Sequence, residues 1–292
     1  MQLEELTKAF GGRGELTKAS QWGIWLGARW WTEKKDKSTR VAKALYTGLA
    51  TAGLLNSDGS VKNVRRPEDP VNSYVAEHVA FLEALGRLGL DDVDNNQVDR
   101  NSLEILRTSL QLSAWRLAVA RAVLTQLAGQ VVLEPLVQEG VLAHVATEEA
   151  GVEKYLGYGA RRETAEAIAP KAEFYDVVTA CHLTAQVDAV VLFEKLPWLL
   201  DPLKELSCLA TRLKPGGYVY VVEPDASVSP AYSAALVALG AMRAVPARQV
   251  EMWLSAAGLR QQSKPSSFPP YYISVWRKPA KPSLSPSDRW ME

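Results

Sequence analysis

Apolar residues follow two different rhythms along the chain. Over residues 102–127, Leu103, Leu106, Leu110, Leu117 and Leu124 recur every three or four residues with Arg107, Arg116 and Arg121 among them, which predicts one long amphipathic helix. Upstream, Ser38 and Thr39 precede a stripe of Val41, Leu45, Leu49 and Ala52 that stops at Gly53, the pattern of a capped helix with a glycine end. The Asp58-Gly59 pair that follows is a hairpin signal, so helix, Gly53-Leu54-Leu55 and hairpin together sketch a winged helix. Gly11-Gly12-Arg13-Gly14 reads as a turn, since no strand precedes it and no Lys-Ser/Thr follows to make a phosphate loop. From residue 130 onward, short apolar runs alternate with helical segments. Strands are expected at 131–133, 152–158, 172–178, 187–193 and 218–223, and helices at 140–150, 161–168, 202–213 and 247–257. This alternation builds a parallel sheet with helices on both faces. The last runs, 259–263 and 271–278, are separated only by the Pro-rich segment 264–270, too short for a helical crossover, and are expected to pair antiparallel.

Composition narrows what such a chain does. Its 292 residues suggest two domains, divided as 1–128 and 129–279 with a Pro/Ser-rich loose tail over 280–292. Lys plus Arg balance Asp plus Glu at 33 each, so no global positive field draws nucleic acid or an anionic membrane. The basic residues around the winged-helix sketch, such as Lys43, Lys62 and Arg65, are diluted by Glu33, Asp36, Glu68 and Asp69, and a DNA-binding regulator trails as a reading. Trp22, Trp25, Trp30 and Trp31 fall within ten residues and call for packing, which we assign to a homodimer interface formed by the N-terminal region. The acidic start and the lack of an apolar stretch near the ~20 residues of a membrane span give the expectation of a soluble, cytoplasmic protein. Cys181 and Cys208 form no CxxC pair and sit near no His cluster; they read as buried free thiols, with no metal site.

A family resemblance is carried by the run from Val187 to Phe193 with its Asp188, the helix that follows it, and Leu213-Lys214-Pro215-Gly216-Gly217 leading into the next strand. This succession is similar to the central segment of class I S-adenosylmethionine (SAM)-dependent methyltransferases. Residues 249–258 also resemble that family's last helix, and the helical first part is similar to the dimerisation domain of small-molecule O-methyltransferases. The resemblance implies a Rossmann-like α/β sheet, parallel with an antiparallel C-terminal hairpin, preceded by a mainly helical, winged-helix-like domain. It also implies SAM as cofactor and a small-molecule substrate.

Carried over residue by residue, the resemblance makes Glu134 the acid that ends the first strand and puts Leu136, Gln138 and Gly140 at the three glycine positions of the cofactor turn. Only Gly140 keeps the glycine. Gly159 falls where the family has the ribose-binding acid, and Asp176 matches the acid that often meets the adenine amino group. Candidates for substrate chemistry lie beyond the fourth and fifth strands: Glu194, Lys195 and Trp198, then Glu223 and Asp225, with His182 as a possible base. Two readings follow. One is a divergent SAM-dependent methyltransferase acting on a small molecule; the other is a catalytically inactive member that retains the fold as a binding or interaction module, with Pro135, Leu136 and Gln138 filling the former cofactor space.

Overall fold

Helices occupy the first part of the chain because apolar residues recur at helical spacing and polar caps open several of the segments. The computed structural model describes residues 3–34, 39–70, 72–159 and 162–280. In order come α1 (Leu3–Ala9), α2 (Arg13–Lys34), α3 (Arg40–Thr51), α4 (Ser73–Leu88), α5 (Leu90–Asp94), α6 (Arg100–Gln111) and α7 (Ala114–Leu124). Thr39, Asn72 and Asp99 each accept a backbone N–H at the start of α3, α4 and α6. The single helix expected over 102–127 is instead two. Leu112 and Ser113 leave the helix, the Ser113 hydroxyl donates to the Leu110 carbonyl, and Glu77 accepts the N–H of Ala114 to start α7 afresh. The break re-aims α7, so that Trp115 and Arg116 are buried rather than displayed on a solvated face.

After α3 the chain makes one antiparallel bridge, Leu55 to Val61, around the Asp58-Gly59 turn. The Trp31 indole donates to the Gly59 carbonyl at 2.9 Å, and that of Trp22 to the Glu68 carbonyl at 3.1 Å. Trp22, Trp30 and Trp31 are buried within the chain itself, so the packing expected at a dimer interface is supplied internally.

The sheet half contains β1 (Val131–Glu134), α8 (Val141–His144), β2 (Lys154–Tyr158), α9 (Arg162–Ile168), β3 (Glu173–Tyr175), β4 (Val187–Phe193), α10 (Pro202–Arg212), β5 (Leu213–Pro224), α11 (Pro230–Ala238), α12 (Ala247–Ala256), β6 (Arg260–Gln261), β7 (Ser266–Phe268) and β8 (Tyr271–Arg277). The strand order is β3-β2-β1-β4-β5-β8-β6, with β7 paired to β8. Strands β1 to β5 run parallel, and β8 lies antiparallel to β5 and β6 as expected. The Pro-rich segment adds β7, an eighth strand that the sequence pattern did not suggest. The Pro215-Gly216-Gly217 segment is absorbed into β5, which starts at Leu213 and accommodates the extra residues as a register shift against β4 between Val187 and Ala189. Asp188 ties the strand starts together: its carboxylate accepts from the Val131 N–H at 2.9 Å and from Lys214 at 2.7 Å.

Helix α11 joins the two halves. All nine of its residues are buried, and it packs on α2 and α3. A Cβ at Gly48 would lie 2.6 Å from the Ala226 carbonyl oxygen, so only glycine lets α3 approach this closely. One hydrophobic core therefore runs from Leu16 through Tyr232 to Ile273.

The cysteines correct the sequence reading. Cys181, in a short 3-10 turn over 180–182, is disulfide-bonded to Cys208 of α10, with Cα atoms 4.9 Å apart. A spacing of 27 residues offers no local motif, and only the docking of that turn on α10 brings the thiols together. Among the described residues no helix is long and apolar enough to cross a membrane, and no cluster of His, Cys, Asp and Glu could hold a metal ion. From residue 281 onward the expected tail lies outside the described residues.

Candidate functional site

Parallel strands deliver their carboxyl ends to one edge of the sheet, and there the chain gathers its buried charges. Glu134 ends β1 and is 2% exposed. Its Oε1 lies 2.7 Å from the Lys195 ammonium, and its Oε2 accepts the Tyr155 hydroxyl at 2.9 Å. Lys195, just past the end of β4, also donates to the Leu136 carbonyl at 3.0 Å. Leu136 has φ +48°, the left-handed conformation that favours glycine, so the backbone keeps a glycine-like turn while carrying a side chain. Gly140 has φ +84°, and a Cβ there would sit 2.7 Å from the Ala165 Cα; this glycine serves the contact with α9. Beyond β2, a Cβ at Gly159 would lie 2.7 Å from the Val137 nitrogen and 2.9 Å from its oxygen. The Val137 N–H donates to the Tyr158 carbonyl at 2.8 Å, which locks the β1 turn onto the end of β2.

Glu194 is the centre of a second buried group. It has φ +56° and accepts from Arg116 Nε at 2.9 Å, from the Tyr271 hydroxyl at 2.6 Å and from the Tyr232 hydroxyl. Burial pushes its carboxyl up, but the Arg116 charge and the tyrosine hydroxyls outweigh it and hold the group below the ordinary carboxylate value. Arg116 also stacks on Phe193, with its guanidinium carbon 4.8 Å from the ring centroid. Glu223, at the end of β5, accepts the N–H groups of Lys195 and Leu196 through Oε1. Burial nevertheless dominates and pushes its carboxyl up to about 8, so it is mainly protonated at neutral pH.

Beside Glu194 opens a cavity of about 290 Å³. Leu110, Leu136, Val137, Trp198, Leu236 and Leu239 form an apolar wall, and Arg107, Gln111, Gln138 and Glu139 contribute polar groups. Gln111 donates to Gln138 at 3.0 Å across the seam between α6 and the β1 turn.

Of the residues singled out from the sequence, Leu136, Gln138, Glu194 and Trp198 line this cavity, and Glu134 and Lys195 adjoin it through Leu136. Glu223 is fully buried behind them. Asp225 instead accepts the N–H and hydroxyl of Ser227 and the N–H of Ala247, capping the connection into α11. Asp176 and His182 are exposed and outside the cavity lining. His182 neighbours the disulfide, on a turn pinned by Glu205, whose carboxylate accepts from Thr179 and the Ala180 N–H. Sequence reasoning did not assign Arg107, Gln111 and Arg116 to the site. Arg116 left one signal: Glu194, after seven strand residues, requires a cation if buried.

The sequence profile of the methyltransferase domain matches residues 111–270, more than half of the chain. The chain belongs to the class I SAM-dependent methyltransferase family. No curated protein is significantly similar in sequence. Among solved structures, this methyltransferase-family chain is similar to the CurJ carbon methyltransferase, with 13% identity, a TM-score of 0.60 and 96% of each chain covered. It is also similar to an O-methyltransferase family 2 protein of Planctomyces limnophilus solved with apigenin, at 16% identity and TM-score 0.53 over 91% of this chain and 93% of that one. The pyocyanin biosynthetic protein PhzM is a third likeness, at 12% identity and TM-score 0.55 over 81% and 84%. At these identities the likeness concerns the fold.

Family members use SAM, so the residues present must be tested against it. They do not fit. No side chain has room at position 159, where the family carries its ribose-binding acid, because the Val137 backbone occupies that space. Lys195 is already bound to Glu134, the acid expected beside the methionine end. In the conformation described, the Val137 backbone and the Glu134–Lys195 pair occupy these two positions.

Proposed function

We propose that this methyltransferase-family chain binds a small, largely apolar molecule in the cavity between α6 and the β1 turn, without holding SAM in the family's donor cleft. The observation that carries the reading is the contact of the Val137 backbone with Gly159, which leaves no room for a ribose-binding side chain at that position. The cavity, about 290 Å³, lies at the lower end of the range of small-molecule sites, roughly 300–1,000 Å³, and has their usual make-up of an apolar wall with a few polar groups. Calorimetric titration with 1 mM SAM is the direct test, and no binding heat is expected. A dissociation constant in the micromolar range, about −8 kcal/mol, overturns the closed-cleft reading. Apigenin, the ligand of the Planctomyces protein, serves as probe for the cavity. It should quench tryptophan fluorescence in the wild type and lose that effect in Leu110→Trp, which fills the cavity; equal quenching in both sinks the cavity assignment.

Methyl transfer remains the second reading, favoured by Glu134, which still ends β1. It requires Lys195 to release Glu134 and the β1 turn to lift from Gly159. Micromolar SAM binding by the wild-type protein is its signature.

A further inference from the structure

We propose that a second cavity, between α1, the start of α2 and the Pro-rich strap over residues 264–269, binds a small organic phosphate, its anionic head held by Lys8, Arg13 and Lys264 and its apolar body resting on Leu16, Val228 and Pro265. The site shares no lining residue with the cavity beside Glu194, and it stands whether or not SAM binds. Its volume of about 920 Å³ lies toward the upper end of small-molecule sites, roughly 300–1,000 Å³.

Charge indicates the ligand. Over the whole chain Lys plus Arg balance Asp plus Glu at 33 each, yet this cavity is lined by three cationic side chains and one acid, Glu4. Lys8 comes from α1, Arg13 from α2 and Lys264 from the strap. Among the described residues none of the three has an ion pair or a side-chain hydrogen bond, whereas Lys18 and Arg66 in the same half hold Glu15 at 2.9 Å and Asp69 at 2.6 Å. One unpaired cation on a flat surface needs no explanation, but three in one concave space raise its potential and draw in an anion. A phosphate monoester carries about −1.5 to −2 charge and three acceptor oxygens, which matches three cations better than a carboxylate with one charge and two oxygens. Thr7, Ser266 and Ser267 also line the space, and their hydroxyls, unbonded among the described residues, add neutral donors.

The walls are preformed. The Phe268 ring lies 5.7 Å from that of Phe10 and 5.5 Å from that of Tyr74, centroid to centroid, and the Tyr74 hydroxyl donates to the Pro269 carbonyl. β7, within the strap, is paired to β8, and the Ser20 hydroxyl of α2 donates to the Val228 carbonyl at 2.8 Å. Strap and helices are thus fastened around the space, and a ligand need not order them on entering.

The test is calorimetric titration with n-hexyl phosphate at low ionic strength, where surface charges are least screened. Inorganic phosphate and hexanoate serve as partial ligands. The wild type should bind hexyl phosphate at least tenfold more tightly than either, and Lys8→Gln/Arg13→Gln/Lys264→Gln should weaken it at least tenfold. All three side chains are exposed, so the triple variant should keep the wild-type melting temperature; should it melt lower, Lys264→Gln alone is titrated and should still weaken the ester severalfold. Lys43→Gln, which removes an exposed cation of α3 outside the cavity, should leave the affinity unchanged, and so should Leu110→Trp, which fills the other cavity. No binding heat at millimolar ester, or equal affinity in the wild type and the cation variants, overturns the proposal. So does loss of binding in Leu110→Trp, which would put the ester beside Glu194. Equal affinities for hexyl phosphate and inorganic phosphate would remove the apolar contact and with it the organic ligand. Sedimentation with phosphatidic-acid vesicles but no binding of the soluble ester would assign the cations to a lipid surface and likewise overturn it.

Discussion

The carboxyl edge of the sheet is closed in two ways. On the β1–β2 side, backbone rests on backbone: the Val137 peptide occupies the space of a Gly159 side chain, and Gly140 abuts Ala165. On the β4–β5 side, only side chains close the edge, with Arg116, Tyr232 and Tyr271 converging on Glu194, and a cavity survives beside them. A site closed by side chains can be reopened by rotamers or single substitutions. One closed by backbone contact needs its turn rebuilt. The cavity lies where the two sides meet, since Leu136, Val137 and Gln138 of the β1 turn line it together with Glu194 and Trp198.

The largest effect is expected where a buried charge loses its partner. Arg116→Met leaves Glu194, 4% exposed, without its cation and held only by two tyrosine hydroxyls. Urea denaturation should register a loss of about 3–5 kcal/mol, most of it recovered in Arg116→Met/Glu194→Gln. A loss under about 1 kcal/mol would mean that the tyrosines suffice and that the side-chain closure is softer than described. Somewhat smaller is the effect of opening the Cys181–Cys208 disulfide, which closes a loop of 27 residues. Loop-closure entropy puts its contribution at about 3–4 kcal/mol, read as the shift of the urea transition on adding reductant.

Glu223 links the two sides, since its Oε1 holds the N–H groups of Lys195 and Leu196, and its titration is visible in stability. Burial raises it from 4.5 to about 8, so the folded state keeps a proton that the unfolded state has released; stability is full below about pH 4.5 and is lost as pH rises through 8. His78, between Trp115 and Tyr232, has the opposite sign: burial lowers it from 6.5 to about 4, and its contribution, full above pH 6.5, is lost as pH falls toward 4. The slopes oppose each other between pH 4.5 and 6.5. Above pH 6.5 that of Glu223 remains, and between pH 6.5 and 8 stability should fall by about 2 kcal/mol. Glu223→Gln should flatten that limb, and an unchanged slope in the variant would assign it to another group.

Much of the sheet was legible in the sequence because each parallel strand is a short apolar run bounded by polar or turn residues. The run from Val187 to Phe193 became β4 without change, and 259–263 pairs with 271–278 as its short linker required. The break at Leu112-Ser113 was hidden because the leucine spacing continues across it, and only Glu77, from another helix, supplies the contact that restarts α7. At the site, the missing glycines at 136 and 138 and the missing acid at 159 could be read from the chain. That Lys195 would reach Glu134, and that Arg116 would meet Glu194 from 78 residues away, could not, because those pairs exist only after α7 and β4 have packed.

The smallest effect is the most telling for the comparison. Leu136→Gly relieves a left-handed backbone that costs a leucine about 1–2 kcal/mol and removes a half-buried side chain worth about the same, so stability should change by no more than about 1 kcal/mol. The substitution also restores the family's glycine at that position. If backbone closes the β1–β2 side, the change is not enough, because Val137 still donates to the Tyr158 carbonyl and still covers Gly159. Calorimetry on Leu136→Gly should then show no SAM binding at 1 mM. Should this variant bind SAM where the wild type does not, the Leu136 side chain is the barrier, and the two sides of the edge differ in degree and not in kind.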